Sequence, residues 1–212
     1  MSTATFLERA RSALDTPTLY WLGKGGWTRS EPASLGPGRP IDLPRELAQL
    51  QAQRPAVHAA YLSALQGAGL AMAELPTLAC DCSGFLCWAL GVARDGAPWT
   101  GGWISTDLIC ADAVGARHLF RPAERAAPGT LLVYPKPRGH GTDGPPGHVG
   151  IVTAATPDGR PARVLHCAPG NLLRPPPAGH PRNAIAETDT APFLEVDPAP
   201  RLVAWRGFDG AS

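Results

Sequence analysis

The sequence predicts an α+β fold, and three observations carry the prediction. Helical periodicity comes first along the chain. Strand-like runs come later, two of them joined by an Asp-Gly hairpin signal. The length of 212 residues suits one domain with a proper core and room for a large insertion.

The elements follow in chain order. Residues 5–15 read as a helix with Phe6, Leu7, Ala10 and Leu14 on one face, ended at Asp15-Thr16-Pro17 because the residue before proline avoids the helical region. Tyr20 to Gly26 is a Gly-rich turn, and 27–43 is rich in Pro, Gly and Ser and reads as irregular. Residues 44–70 are helical in pattern, with Leu47, Leu50, Val57, Tyr61, Leu62 and Leu65 in register and a break at Pro55. Asp81 suits an N-cap, Cys82 to Leu90 a helix, and Gly91 its left-handed C-terminal residue. A further helix is expected over Ser105–Val114 and a short strand over Thr130–Tyr134. The Gly/Pro-dense run Pro135–Gly147 reads as a long loop, as does Arg174–Pro181. His148–Ala155 and Ala162–Ala168 are expected to be strands, and Arg201–Arg206 a last one.

Composition excludes several classes. Formal net charge is +1 with no basic run, so nucleic acid is not an expected partner. No apolar stretch approaches the roughly 18 residues of a membrane span. The N-terminus lacks a basic region followed by an apolar one, so the expectation is a protein that is cytoplasmic as synthesised or exported to the periplasm by a leaderless route. Five cysteines, an odd number with Cys80 and Cys82 too close to bridge, argue for a reducing compartment rather than a disulfide framework.

Three of those cysteines lie in ACDCSGFLCWALG, residues 79–91. A helix N-terminus favours a thiolate, and only Cys82 sits in the first turn after the cap. Cys80 precedes the helix, and Cys87, beside Phe85 and Trp88, reads as a small buried apolar residue. A nucleophilic cysteine needs a base and a group that orients the base. Among six histidines, His148 opens a strand and His166 lies in its hairpin partner. His58 and His118 lie in or near helices, and His140 and His180 fall in loops, which hold a ring poorly.

Taken in order, Asp81-Cys82-Ser83-Gly84-Phe85, Pro128-Gly129-Thr130-Leu131-Leu132, His148-Val149-Gly150-Ile151-Val152 and Val164-Leu165-His166-Cys167-Ala168 resemble the NlpC-type cell-wall cysteine peptidases. Ala13 to Gly26 is similar to that family's helix end and Tyr-Trp-Gly-Gly segment. The resemblance implies a single papain-like catalytic domain over 1–212, with N-terminal helices and the nucleophile at a helix start packed on a small antiparallel sheet. It makes Cys82 the nucleophile, His148 the base, His166 the orienting residue and Tyr20 the tyrosine near the oxyanion site. It implies no cofactor and no metal. The implied substrate is a peptidoglycan stem peptide or muropeptide, often cut at the D-glutamyl–diaminopimelate bond. A secretion machinery or a cognate immunity protein would be the protein partner. Two departures stand out. Residues 27–75 form a partly helical insertion between Tyr20 and the cysteine motif, expected to border the cleft. Thr130 stands where the family has Asp, a position read as structural.

Other readings compete. Cys80, Cys82, His148, His166 and Cys167 are soft enough ligands for zinc, although C-x-C is poor spacing for it. The scaffold can be a catalytically inactive binding module, or a thiol amidase, acyltransferase or phospholipid-directed hydrolase.

Strand parity adds one sharp expectation. In an antiparallel pair, opposed residue numbers add to a constant. A two-residue turn at Asp158-Gly159 makes that constant odd and puts His166 on the face away from His148. The two share a face only with a three- or five-residue loop or a β-bulge between Ala154 and Val164, which Pro157 and Pro161 favour.

Overall fold

The computed structural model describes residues 1–96, 102–137, 146–176 and 178–208. The α+β class holds. Helix α1 spans Thr3–Ser12 and runs into a 3-10 turn at Ala13–Asp15. Strand β1 is Leu19–Tyr20 and β2 is Arg39–Pro40, inside the stretch expected to be irregular. The stretch between Tyr20 and the cysteine motif is helical where periodicity puts helices: α2 is Leu43–Gln53 and α3 is Pro55–Gly67, separated at Arg54-Pro55. Then come β3 at Leu78–Cys80, α4 at Cys82–Leu90 and α5 at Thr106–Val114. The second half holds β4 (Phe120–Pro122), β5 (Leu131–Tyr134), β6 (His148–Ala155), β7 (Pro161–Cys167), α6 (Pro169–Leu173), β8 (Ile185–Thr188), α7 (Ala191–Leu194) and β9 (Arg201–Trp205). Residues 138–145 of the expected loop at 135–147, and residue 177 of the second one, lie outside the described residues.

Two sheets form. The small one is ordered β1-β3-β2, with β1 parallel to β3. The large one is antiparallel and ordered β4-β9-β5-β6-β7-β8. Its central strands are buried on both faces. Leu131, Val133, Val149, Ile151 and Leu165 share the main core with Phe6 of α1, Phe85 and Leu86 of α4, and Ile109 of α5. The alternate residues Leu132, Tyr134, Val152 and Val164 form a second, smaller core around Phe193 of α7. His148 and His166 have the parity of that second face.

The hairpin has the register that the parity requirement demands. Near the histidines the pairs are Ile151↔Leu165 and Val152↔Val164, an even constant. The loop closes with the Thr156 N–H on the Arg160 carbonyl at 2.8 Å, leaving three residues at the tip. Between tip and histidines the register shifts twice, and the shifts cancel. Gly150 therefore faces His166 across the ladder. A Cβ there would collide with a Val164 methyl and stand 2.8 Å from the Phe193 ring and 3.0 Å from the His166 Cβ.

Candidate active site

The helix that carries Cys82 is fixed at both ends by the residues expected to fix it. Asp81 caps α4, its Oδ1 accepting the Gly84 N–H at 2.6 Å, and Gly91 ends it at φ 70°. The cap does more than close the helix. Asp81 Oδ1 also accepts the Ser83 hydroxyl at 3.1 Å, while Oδ2 accepts the Gly23 N–H at 2.7 Å and pairs with Arg94 Nη2 at 3.1 Å. Both members of this ion pair are 2 % exposed. Arg94 further donates from Nη2 to Ser83 Oγ and from Nη1 to the Lys24 carbonyl, each at 2.8 Å. Its guanidinium lies 4.5 Å from the Trp103 ring centre. One buried arginine thus clamps the Gly-rich segment 21–26 to the start of α4. Gly84 permits the approach, since a Cβ there would strike the Lys24 carbonyl.

Cys82 is the first residue of α4 and is 4 % exposed. Its Sγ lies 4.0 Å from the carbonyl oxygen of Gly147, the residue before His148. No hydrogen bond joins it to the His148 ring among the described residues. The helix start was expected to favour a thiolate, but the balance goes the other way. Burial, then the Asp81 carboxylate, pushes the thiol up to about 12, against the opposing pull of the Val149 N–H, Arg94 and the Ser83 N–H. The resting group is a neutral thiol.

The two histidines meet directly: His148 Nε2 and His166 Nδ1 are 2.7 Å apart. Bonding through Nε2 leaves His148 Nδ1 as the ring nitrogen able to serve a nucleophile. Phe193 packs on both rings, with centroids 4.8 Å from His148 and 5.2 Å from His166. Burial lowers His148 to about 4 and holds His166 well below the ordinary imidazole range, helped there by His148 and Arg174. The pair is neutral at pH 7.

Tyr20 lies beside the cysteine motif despite the long intervening stretch, because β1 pairs with β3 and sets Tyr20 opposite Cys80. Its phenol is raised by burial and then by the nearby Cys82 and Asp81. Tyr134, opposite His148 on β5, is raised to about 12 by burial and by Cys82. Cys82 and the two histidines therefore gather at the start of β6, while Tyr20 lies opposite Cys80; of these four, only His148 and His166 are hydrogen-bonded to each other. Cys80, Cys87 and Cys167 are fully buried, and Thr130 makes a local turn through Ala127. Among the described residues, no group of three or more His, Cys, Asp or Glu side chains is gathered to hold a metal. No helix among them is long and apolar enough to cross a membrane.

Sequence reading missed three contributors: Arg94, Phe193 and Thr188, whose Oγ1 lies 3.0 Å from His166 Nε2. Nothing local marks Arg94, which lies eleven residues beyond Ser83 in a loop. Ile185-Ala186-Glu187-Thr188 runs apolar, apolar, polar, polar and shows no period-two alternation, so nothing local marks β8 either. Compared with known proteins, the chain matches no family model, no curated protein and no solved structure.

Proposed function

We propose that this protein is a papain-like thiol hydrolase, a cysteine peptidase or amidase acting through Cys82, His148 and His166. The observation that carries the reading is the 2.7 Å bond between His148 and His166 on paired strands, with Cys82 at a helix start against Gly147. An isolated buried histidine is common, but two histidines bonded end to end beside a helix-capped cysteine supply a nucleophile, a base and an orienting group.

The neutral resting pair dictates the order of events. Sγ attacks the substrate carbonyl carbon as its proton passes to His148 Nδ1, forming the S–C bond and an oxyanion. First-turn N–H groups of α4, that of Cys82 among them, favour the negative oxygen. The C–N bond then breaks as the imidazolium gives its proton to the leaving amine. Water, deprotonated by His148, cleaves the thioester and restores the thiol. Tyr20 is assigned beside the oxyanion.

The substrate class rests on the motif resemblance: an amide of a peptidoglycan stem peptide, of the D-glutamyl–diaminopimelate type. Residues 27–75 restrict which peptides enter. In support, the insertion is tied to segment 21–26 by the Lys24–Glu46 ion pair at 2.6 Å and by the edge-on packing of Trp21 and Tyr61.

A second reading, a catalytically inactive module of the same scaffold, is favoured by the buried Cys82 thiol and its missing bond to His148. Digestion of purified peptidoglycan separates the two, with products identified by mass spectrometry. Release of peptide fragments by the wild type and none by Cys82→Ala supports the hydrolase. Equal release by both, or none by either on wall and muropeptides alike, removes the cell-wall reading.

A further inference from the structure

We infer that Thr188 is a positioning residue that sets the protonation pattern of the histidine pair and so leaves His148 Nδ1 free to act as base. The inference rests on the thiol-hydrolase reading for its catalytic consequence, while the proton placement itself follows from hydrogen-bond bookkeeping alone.

The hydroxyl of Thr188 has one proton and two neighbours. One is the Asp189 carbonyl oxygen at 2.7 Å, and the other is His166 Nε2 at 3.0 Å. A carbonyl cannot donate, so a 2.7 Å oxygen–oxygen contact holds only if the threonine proton lies in it. Thr188 Oγ1 must then accept from His166, which places a hydrogen on His166 Nε2. A neutral imidazole carries one such hydrogen, so His166 Nδ1 is a lone pair. The 2.7 Å contact between His166 Nδ1 and His148 Nε2 therefore takes its proton from His148. His148 is neutral too, lowered by burial to about 4, so its Nδ1 is bare. Invert the first assignment and every later one inverts: His166 would donate from Nδ1, and His148 would carry its proton on Nδ1, where it blocks the base.

The surrounding chain holds this hydroxyl in place. Thr188 is 6 % exposed and pairs with Val164 in the ladder, two residues from His166. Asp189 Oδ1 accepts the Ala191 N–H at 3.0 Å and starts the short helix that brings Phe193 onto both rings. Residues 188–193 thus fix both the proton pattern and the ring planes of the pair.

The test has two arms. Two-bond proton–nitrogen correlation spectra of the uniformly 15N-labelled wild type at pH 7.5 read the tautomers without any substrate, with signals assigned against His148→Gln. Both His148 and His166 are expected to be protonated on Nε2 and bare on Nδ1. In Thr188→Val, of nearly equal shape but without the acceptor, the pair is expected to lose this single pattern. Its kcat should fall about 10- to 1,000-fold, below the cost of a fully inverted triad tautomer, with KM within about 3-fold. Thr188→Ser, which keeps the acceptor, is expected to restore the spectrum and bring kcat within about 3-fold of wild type. A proton on His148 Nδ1 in the wild type would overturn the inference whether or not the protein is a peptidase. So would a Thr188→Val protein with unchanged tautomers and pH profile, or a Thr188→Ser protein as impaired as the valine variant. The wild-type spectrum decides the question even if the valine variant does not fold.

Discussion

Replacing Arg94 with Met should cost about 3–5 kcal/mol of folding stability, the scale for breaking a buried ion pair by removing one partner. The guanidinium gives Asp81 its only cationic partner among the described residues, at 3.1 Å, and both groups are 2 % exposed. Methionine fills much of the volume but leaves the carboxylate with only neutral donors, the Gly23 and Gly84 N–H groups and the Ser83 hydroxyl. It also frees the Lys24 carbonyl that Arg94 Nη1 holds at 2.8 Å. For a chain of this size each kcal/mol moves the melting temperature by about 2–4 °C, so a fall of about 6–20 °C is expected. Urea denaturation of wild type, Arg94→Met, Asp81→Asn and the double variant gives the coupling. The double variant should be less damaged than the two single losses added together, because removing both charged partners leaves no uncompensated charge. A loss under about 1 kcal/mol for Arg94→Met, or strict additivity, would refute the claim that this pair fastens the helix start.

Three further outcomes are expected. Folded His148 takes up its proton near pH 4 and the unfolded chain near 6.5, so between these values the unfolded state binds more protons and acid destabilises the protein. The loss from this group is about 1 kcal/mol by pH 5.5 and about 3 by pH 4, seen as a falling urea midpoint that is shallower in His148→Gln. At the alkaline end the buried Cys82 thiol, raised to about 12, withdraws stability as pH climbs past the ordinary thiol range, and Cys82→Ala should flatten that limb. Gly150→Ala should cost about 1–3 kcal/mol and most of the activity, because its methyl would press on Phe193 and His166; a fully active variant with an unchanged melting temperature would show that this face is slack.

The parts of the site that depend on local rules were legible in the sequence. Asp81 reads as a cap because its carboxylate sits one residue before an apolar run, and Gly91 as a stop because only a left-handed residue fits there. Strand parity alone requires an irregular hairpin if the two histidines are to meet, since a regular two-residue turn separates His148 from His166. Long-range pairing was not legible. β1 and β3 are short segments paired across the intervening residues 21–77, a pairing that no local pattern announces, so Tyr20 reads as remote from Cys82. Arg94 reads as an ordinary loop cation until the fold places it under Asp81. The ionisation of Cys82 was misjudged for the same reason: the helix start is local, whereas the burial that outweighs it belongs to the packed sheet.

The central claim, that Cys82 is the one chemically competent thiol and that His148 serves it, is tested most directly by active-site labelling. The folded protein is treated with a limiting chloroacetamide probe at pH 7.5, the labelled residue is mapped by peptide mass spectrometry, and residual hydrolytic activity is measured on the same samples. The account predicts one label, on Cys82, tracking the loss of activity one for one, and slowed at least about 10-fold in His148→Ala, whereas Cys80, Cys87, Cys110 and Cys167 stay unmodified until the protein unfolds. Labelling first at another cysteine, or full activity in protein alkylated at Cys82, would contradict it.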